Sequence, residues 1–149
     1  MKFTKVTPES HYILKLEIGD DVHGSILDFC QKEGVKTGWI TGLGAITDIS
    51  LGYYNLGTKK YQFTEYTAIY EVMGLIGNIA LVDGQPFLHI HTSISDDTNS
   101  TQSGHLQKAK VAVTLEIQIT SYKESVSRLF EDAVGLRLLQ CGENNTESI

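Results

Sequence analysis

The chain has 149 residues, of which 41% are hydrophobic and 20% are charged, and its formal net charge is −6. This length and composition predict one globular domain with a substantial hydrophobic core and exclude a long disordered region. The negative charge disfavours a direct nucleic-acid binder, which normally presents a basic face to phosphates, and the chain has only two arginines, Arg128 and Arg137.

The apolar segments of the chain are too short to predict a signal peptide or a membrane span. The first 15 residues lack the apolar core of a signal peptide, and no stretch approaches the roughly 18 apolar residues that a membrane span requires. We therefore expect a cytoplasmic protein without a membrane segment. The polar residues 143–149 predict a flexible C-terminal tail, which leaves residues 1–142 as the domain.

The first two predicted elements are a strand and a helix. Residues 11–18 alternate between apolar and polar side chains, which is typical of a half-buried strand. Asp20 or Asp21 can cap the helix that follows, because a short carboxylate accepts hydrogen bonds from free helical N–H groups. Apolar residues recur at helical spacing over residues 22–30, and Gly34 is a natural end for the helix.

Strand-forming residues dominate the centre of the chain. Residues 37–55 are rich in glycine and β-formers, and they predict one long strand, or two strands joined by a bend near Gly42 and Gly44. Residues 61–70 and 71–82 predict two further strands.

A hairpin is the clearest local prediction. Asp83-Gly84 is a strong two-residue turn signal, and the strand after it covers residues 85–95. Residues 96–104 are polar and rich in turn formers, and they predict a loop.

The last part of the chain completes a β-rich pattern. Residues 111–120 alternate and predict a strand, residues 125–130 predict one or two helical turns, and residues 135–139 predict a short final strand. One main helix cannot supply the repeated βαβ units of a parallel α/β fold. The sequence therefore predicts a β-rich α+β domain with a largely antiparallel or mixed sheet.

Two of the five histidines lie on one predicted strand. His89 and His91 point to the same face of that strand, whereas Leu88, Ile90 and Ile94 point to the other face, toward a core. Because a strand rises about 3.3 Å per residue, the Cα atoms of His89 and His91 are about 6.6 Å apart. Two imidazoles at this spacing can bind one metal ion through bonds of about 2.0–2.1 Å.

A third ligand has to come from another segment, and His105, after the predicted loop, is the candidate. Three neutral histidines with one open position are typical of a catalytic zinc site, although imidazole also suits nickel, copper or iron. The alternative is a pair of solvent-facing histidines that binds nothing. His11 and His23 are interpreted as surface residues.

Glu71 interrupts an otherwise apolar predicted strand, and a buried carboxylate is unfavourable unless it is paired or bound to a metal. It is a candidate fourth ligand, general base, or partner that orients a metal-binding histidine. The alternative is a solvated residue that faces outward.

Three stretches together resemble the PPC domain of plants and prokaryotes, also called DUF296. They are GLGAITDISLGYY at 42–54, YEVMGLIGNIALVDGQPFLHIHTSISD at 70–96 and SGHLQKAKVAVTLEIQI at 103–119. The resemblance extends from about Tyr12 to about Leu139, and the HxH pair followed by Gly-His-Leu is its most specific part. The family often has Gly-Gly-His-Leu, and Ser103 stands here in place of the first glycine.

The resemblance implies an α+β fold, a homotrimer, and a metal site that some prokaryotic members form with histidines at the positions of His89, His91 and His105. It also implies similarity in fold to acetolactate decarboxylase, which holds zinc with three histidines. Plant members carry an AT-hook that contacts DNA, and this chain has no Arg-Gly-Arg-Pro sequence.

These features predict a homotrimeric PPC-domain protein that binds zinc, or another divalent transition metal, through the three histidines, with no assigned molecular role. One alternative is a metal-dependent enzyme acting on a small 2-oxo or 2-hydroxy acid, in which Glu71 transfers the proton. The other is a DNA-associated regulatory protein that acts through partner proteins.

Overall fold

A computed structural model describes residues 1–142 of the protein, and the predicted tail at 143–149 lies outside the described residues. Within residues 1–142 the chain forms one helix and eight strands. In chain order these are β1 (Pro8–Leu16), α1 (Val22–Glu33), β2 (Gly38–Asn55), β3 (Lys60–Tyr66), β4 (Tyr70–Val82), β5 (Gln85–Ser95), β6 (Thr101–Tyr122), β7 (Arg128–Glu131) and β8 (Leu136–Leu139). The predicted α+β class with one main helix is confirmed.

Four strands form a closed, antiparallel circuit. β2 pairs with β4, β4 with β5, β5 with β6, and β6 pairs back with β2. β1 extends this arrangement along the C-terminal half of β6, and β3 pairs with the C-terminal half of β2. β7 and β8 form a separate two-stranded sheet. Closure of the circuit gives the sheet an inner face, which holds the core, and an outer face.

Helix α1 packs its apolar stripe into this core. Val22, Ile26 and Cys30 are fully buried together with side chains from the inner face of the strands. Asp21 caps the helix, because its Oδ1 accepts a hydrogen bond of 2.7 Å from the Gly24 N–H. Gly34 ends it in the left-handed region at φ 71°. Both helix boundaries therefore follow from local sequence signals.

The glycine-rich stretch forms one continuous strand, β2, with an irregularity where the sequence suggested a bend. The pairing of β2 with β4 shifts register between Gly42 and Gly44. Gly44 has a φ of 150°, and a Cβ atom at this position would lie 2.1 Å from the Thr114 carbonyl oxygen. Only glycine permits this close approach of β2 to β6.

The predicted hairpin is confirmed. Asp83 and Gly84 have φ values of 50° and 79°, and β4 and β5 pair on both sides of them, with Val82 opposite Gln85. Two central residues with positive φ match the twist of the flanking strands. The turn therefore fixes the register that sets Asn78 opposite His89.

The loop predicted over residues 96–104 was wrong in its second half. The turn covers residues 96–100, and β6 begins at Thr101. Ser103 lies opposite Ser93, and their side-chain oxygens are 2.8 Å apart. Polar side chains are tolerated in this strand because they project toward solvent while the backbone pairs with β5.

The helical turns predicted over residues 125–130 were also wrong, since this segment enters β7. The Leu81 N–H donates to the Val126 carbonyl at 2.8 Å, and the Val126 N–H donates to Thr37 Oγ1 at 2.8 Å. These bonds to distant segments hold the backbone extended and override the local helical pattern.

The strand predicted over residues 61–70 is shorter than expected. β3 ends at Tyr66, and residues 67–69 separate it from β4. Both strands pair with the same edge of β2, which places the break where β2 changes partner.

Within residues 1–142, no helix has the length and apolar character to cross a membrane.

Candidate metal centre

The three predicted histidines lie together on the outer face of the strand circuit. His89 and His91 project from β5, and His105, on β6, lies directly opposite His91 in the antiparallel register. One nitrogen from each ring lies within 4.8 Å of the other two. Metal bonds of about 2.0–2.1 Å require the three nitrogens to lie somewhat closer to one another than this. The arrangement could therefore hold one metal ion.

Strand pairing brings His105 to this position. His105 is flanked by two neighbouring strands, with His91 on one side and Gly52 on the other. The Tyr61 ring lies beside it, with 5.0 Å between the ring centres. His105 Nδ1 is buried and has no hydrogen-bond partner among residues 1–142. An unpartnered imidazole nitrogen within a histidine cluster fits a metal-binding role.

Burial keeps the two half-buried histidines, His89 and His105, in the neutral form that binds metals. Desolvation, followed by the charges of Arg128 and His91, lowers the pKa of His89 to about 4. Desolvation, followed by the neighbouring histidines, lowers the pKa of His105 to about 4 as well. At neutral pH both rings are therefore uncharged, which is the state in which a ring nitrogen can donate to a metal.

His91 is the exposed member of the cluster. Its ring centre lies 5.0 Å from that of His89 and 5.5 Å from that of His105. A shallow hollow bordered by Trp39 and Ile76 opens over His91. In catalytic-type zinc sites, three protein ligands leave one coordination position for water or substrate.

A buried arginine adjoins the cluster. Arg128, on β7, is 7% exposed. Its Nη2 donates to Asn78 Oδ1 at 2.8 Å and to His89 Nδ1 at 3.1 Å. Its Nη1 donates to the Arg137 carbonyl at 3.1 Å, and its guanidinium carbon lies 5.9 Å from the centre of the Phe87 ring.

The structure does not bring Glu71 to the histidines. Glu71 is exposed and lies opposite Ser95, four residues along β5 from His91. At a rise of about 3.3 Å per residue, this separates the backbone of the two positions by about 13 Å. Glu71 is thus placed as an outward-facing residue within this chain.

The other two histidines lie apart from the cluster. His11 is exposed, as predicted, and its Nδ1 lies 3.1 Å from Thr120 Oγ1. His23, on α1, is half-buried rather than a surface residue, and burial lowers its pKa.

Sequence reasoning missed Arg128, Asn78 and Tyr61 as neighbours of the histidines. Each comes from a different strand, and a helical interpretation of residues 125–130 concealed the direction of Arg128. One sequence feature could have indicated Arg128. It is one of only two arginines, and it alternates with the apolar residues Val126 and Phe130, which is unusual for a charged residue.

Comparison with known protein families shows which family the chain belongs to. Residues 3–123 match the Plants and Prokaryotes Conserved (PCC) domain. The chain belongs to the PCC family. This is the family, also written PPC, that the HxH and Gly-His-Leu stretches resemble.

Solved structures of similar chains agree with this assignment. A PPC protein from Pyrococcus horikoshii is 30% identical, with a TM-score of 0.88 and coverage of 94% of this chain and 97% of that chain. A metal-containing protein from Archaeoglobus fulgidus is 29% identical, with a TM-score of 0.89 and coverage of 94% and 99%. A candidate DNA-binding protein from Bacteroides thetaiotaomicron is 27% identical, with a TM-score of 0.85 and coverage of 91% and 97%.

No curated protein matches the chain. An acetolactate decarboxylase from Bacillus subtilis aligns with a TM-score of 0.46 and 14% identity, and this likeness is too weak to support an inference about activity.

Proposed function

We propose that this PCC domain binds one divalent transition metal ion, preferably zinc, through His89, His91 and His105. The observation that carries the proposal is the convergence of three imidazole nitrogens within 4.8 Å on adjacent strands. The metal-containing relative from Archaeoglobus fulgidus supports it. Three neutral nitrogen ligands with an open position suit zinc, and such an ion polarises a carbonyl or activates a water molecule.

The protein's own residues would prepare this site. The rigid pairing of β5 with β6 sets the direction of His91 and His105, so little ordering is required when a metal binds. Burial keeps His89 and His105 in the neutral form, so one nitrogen of each ring carries no proton that would compete with the metal.

Elemental analysis of the untagged chain tests the metal site. We expect about one zinc ion per chain after loading and dialysis, and less than about a tenth of that in His91→Ala, because two imidazoles rarely suffice for a stable zinc site. His11→Ala is the matched control, since His11 is an exposed histidine outside the cluster. Zinc that fails to bind the wild type, or that binds His91→Ala equally well, would contradict the proposal.

We also propose that the chain assembles as a homotrimer through its outer face. Trp39, Leu43 and Ile76 are 45%, 58% and 52% exposed on this face. Large apolar side chains grouped on a folded surface favour a protein interface. Because Trp39 and Ile76 border the hollow over His91, a neighbouring subunit on this face would lie beside the metal.

A further inference from the structure

Arg128 is a buried cation that lacks a counter-charge in the described chain. Its three hydrogen-bond partners are an amide oxygen, a main-chain carbonyl and an imidazole nitrogen, all uncharged. Within residues 1–142 no carboxylate oxygen lies within 4.0 Å of it, and its Nε is buried without a partner. A buried charge in this state is strongly unfavourable unless an anion completes the site.

A cavity of about 340 Å³ opens beside this guanidinium. His89 and His105 contribute to its wall together with Tyr61. The remaining wall is largely apolar and comes from Phe87, Phe130, Leu136 and Leu138. This volume and this mixture of an apolar wall with a few convergent polar groups are typical of a small-molecule site.

The contact between Arg128 and His89 cannot persist once His89 binds a metal. A guanidinium only donates, so His89 Nδ1 must accept the 3.1 Å hydrogen bond. If Nε2 binds the metal, the neutral ring carries its proton on Nδ1, and if Nδ1 binds the metal, its lone pair is occupied. In either case the ring no longer has an acceptor for Arg128.

An anion between the two groups resolves this conflict. A carboxylate oxygen accepts from the guanidinium and also from a His89 Nδ1–H group, as the acceptors beside metal-bound histidines commonly do. Metal and anion would therefore strengthen each other's binding, and by linkage the effect is reciprocal.

We infer that the cavity binds a small monocarboxylic acid, with its carboxylate between Arg128 and His89 and its carbon chain against the apolar wall. The part of this inference that involves a metal ion rests on the proposed function. The apolar wall accommodates a short carbon chain, and the net charge of −6 disfavours a multiply charged anion such as phosphate.

Calorimetric titration of the untagged, zinc-loaded chain tests whether the ligand needs a carboxylate. The probes are pyruvate and the neutral pyruvamide, which keeps the oxo group and the chain length. We expect pyruvamide to bind at least about tenfold more weakly, because it cannot form the charge-assisted pair with Arg128. Equal affinity for the two probes, or tighter binding of inorganic phosphate, would overturn the inference, and this comparison needs no variant.

Two variants test whether Arg128 is the cation that binds the carboxylate. Arg128→Gln should weaken pyruvate at least about tenfold and leave pyruvamide unchanged. Lys15→Gln is the control, since this exposed cation lies outside the cavity and is already 3.1 Å from Glu17, and it should change pyruvate affinity by less than about threefold. Unaltered pyruvate binding in Arg128→Gln would exclude the assigned role.

The zinc content of every sample, measured by elemental analysis, separates this inference from the proposed function. We expect saturating pyruvate to tighten zinc binding in the wild type but not in Arg128→Gln. Zinc binding through the histidines together with Arg128-independent pyruvate binding would refute the anion site alone. Arg128-dependent pyruvate binding by a chain that takes up no zinc would refute the metal site alone.

Discussion

At the residue scale, burial and then neighbouring charges lower the pKa of two histidines in the cluster. Both His89 and His105 have a pKa of about 4, far below the ordinary histidine value of 6.5, and desolvation is the first cause in each case. Spacing along the strand predicted that His89 and His91 share a face. It could not predict the pKa values, because these depend on burial in the folded chain and on the charge of Arg128.

These pKa values predict acid sensitivity of the metal-free protein. An unfolded histidine binds a proton below about pH 6.5, whereas the folded His89 and His105 resist protonation down to about pH 4. The unfolded state therefore binds more protons in this window, and the free energy of unfolding falls as the pH is lowered from about 6.5 toward about 4. Urea denaturation in the presence of a chelator, near pH 7 and near pH 5, measures the change.

The double variant His89→Gln/His105→Gln is the control for this pH dependence. It removes both shifted groups, so its urea midpoint should differ less between the two pH values than that of the wild type. An equal pH dependence in both proteins would show that other groups dominate acid unfolding.

At the element scale, glycine and cap residues set where strands and the helix can run. Sequence signals located the helix end at Gly34 and the turn at Asp83-Gly84 and limited the cap to Asp20 or Asp21, because each depends on a few adjacent residues. The start of β6 and the strand character of β7 were missed, since pairing with distant partners decides them.

Gly44→Ala should destabilise the fold by about 3 kcal/mol or more, because a methyl group would collide with the Thr114 carbonyl in addition to the backbone strain. Thermal unfolding followed by circular dichroism measures the loss. Gly74→Ala is the matched control, since nothing lies within 4 Å of its Cβ position and its φ is not in the left-handed region. Similar melting temperatures for the two variants would argue against the close approach of β2 to β6.

Asp21→Ala should lower the free energy of unfolding by about 1 kcal/mol, because the Gly24 N–H loses its 2.7 Å acceptor at the start of α1. The midpoint of urea denaturation reports this loss. Asp28→Ala, at an exposed position within the same helix, should change stability much less. A larger effect at Asp28 than at Asp21 would contradict the capping role.

At the scale of the whole molecule, closure of β2, β4, β5 and β6 places apolar side chains on both faces. The inner face is covered by α1, but Trp39, Leu43 and Ile76 on the outer face have no cover within residues 1–142. Sequence alternation showed which residues share a face. It could not distinguish a core from an interface, since both bury apolar surface.

Ile76→Glu should shift the molecular mass, measured by light scattering during gel filtration, from three chains to one. A charge buried at an interface without a partner opposes association. Ile18→Glu is the control, because Ile18 is 72% exposed outside the strands and should keep the mass of the wild type. A wild type that is monomeric throughout a dilution series, or an Ile76→Glu variant that stays trimeric, would contradict assembly through this face.

The sequence alone determined the β-rich class, the ends of the helix, the hairpin at Asp83-Gly84 and the common face of His89 and His91, because these depend on short-range periodicity and turn chemistry. The sequence also offered His105 as a candidate third ligand, which the family resemblance favoured, and only the pairing of β5 with β6 placed it opposite His91. The tertiary structure also separated Glu71 from the cluster and brought Arg128 to His89 from 39 residues away. Contacts between residues that are distant in the chain depend on strand order and register, which local residue patterns do not specify.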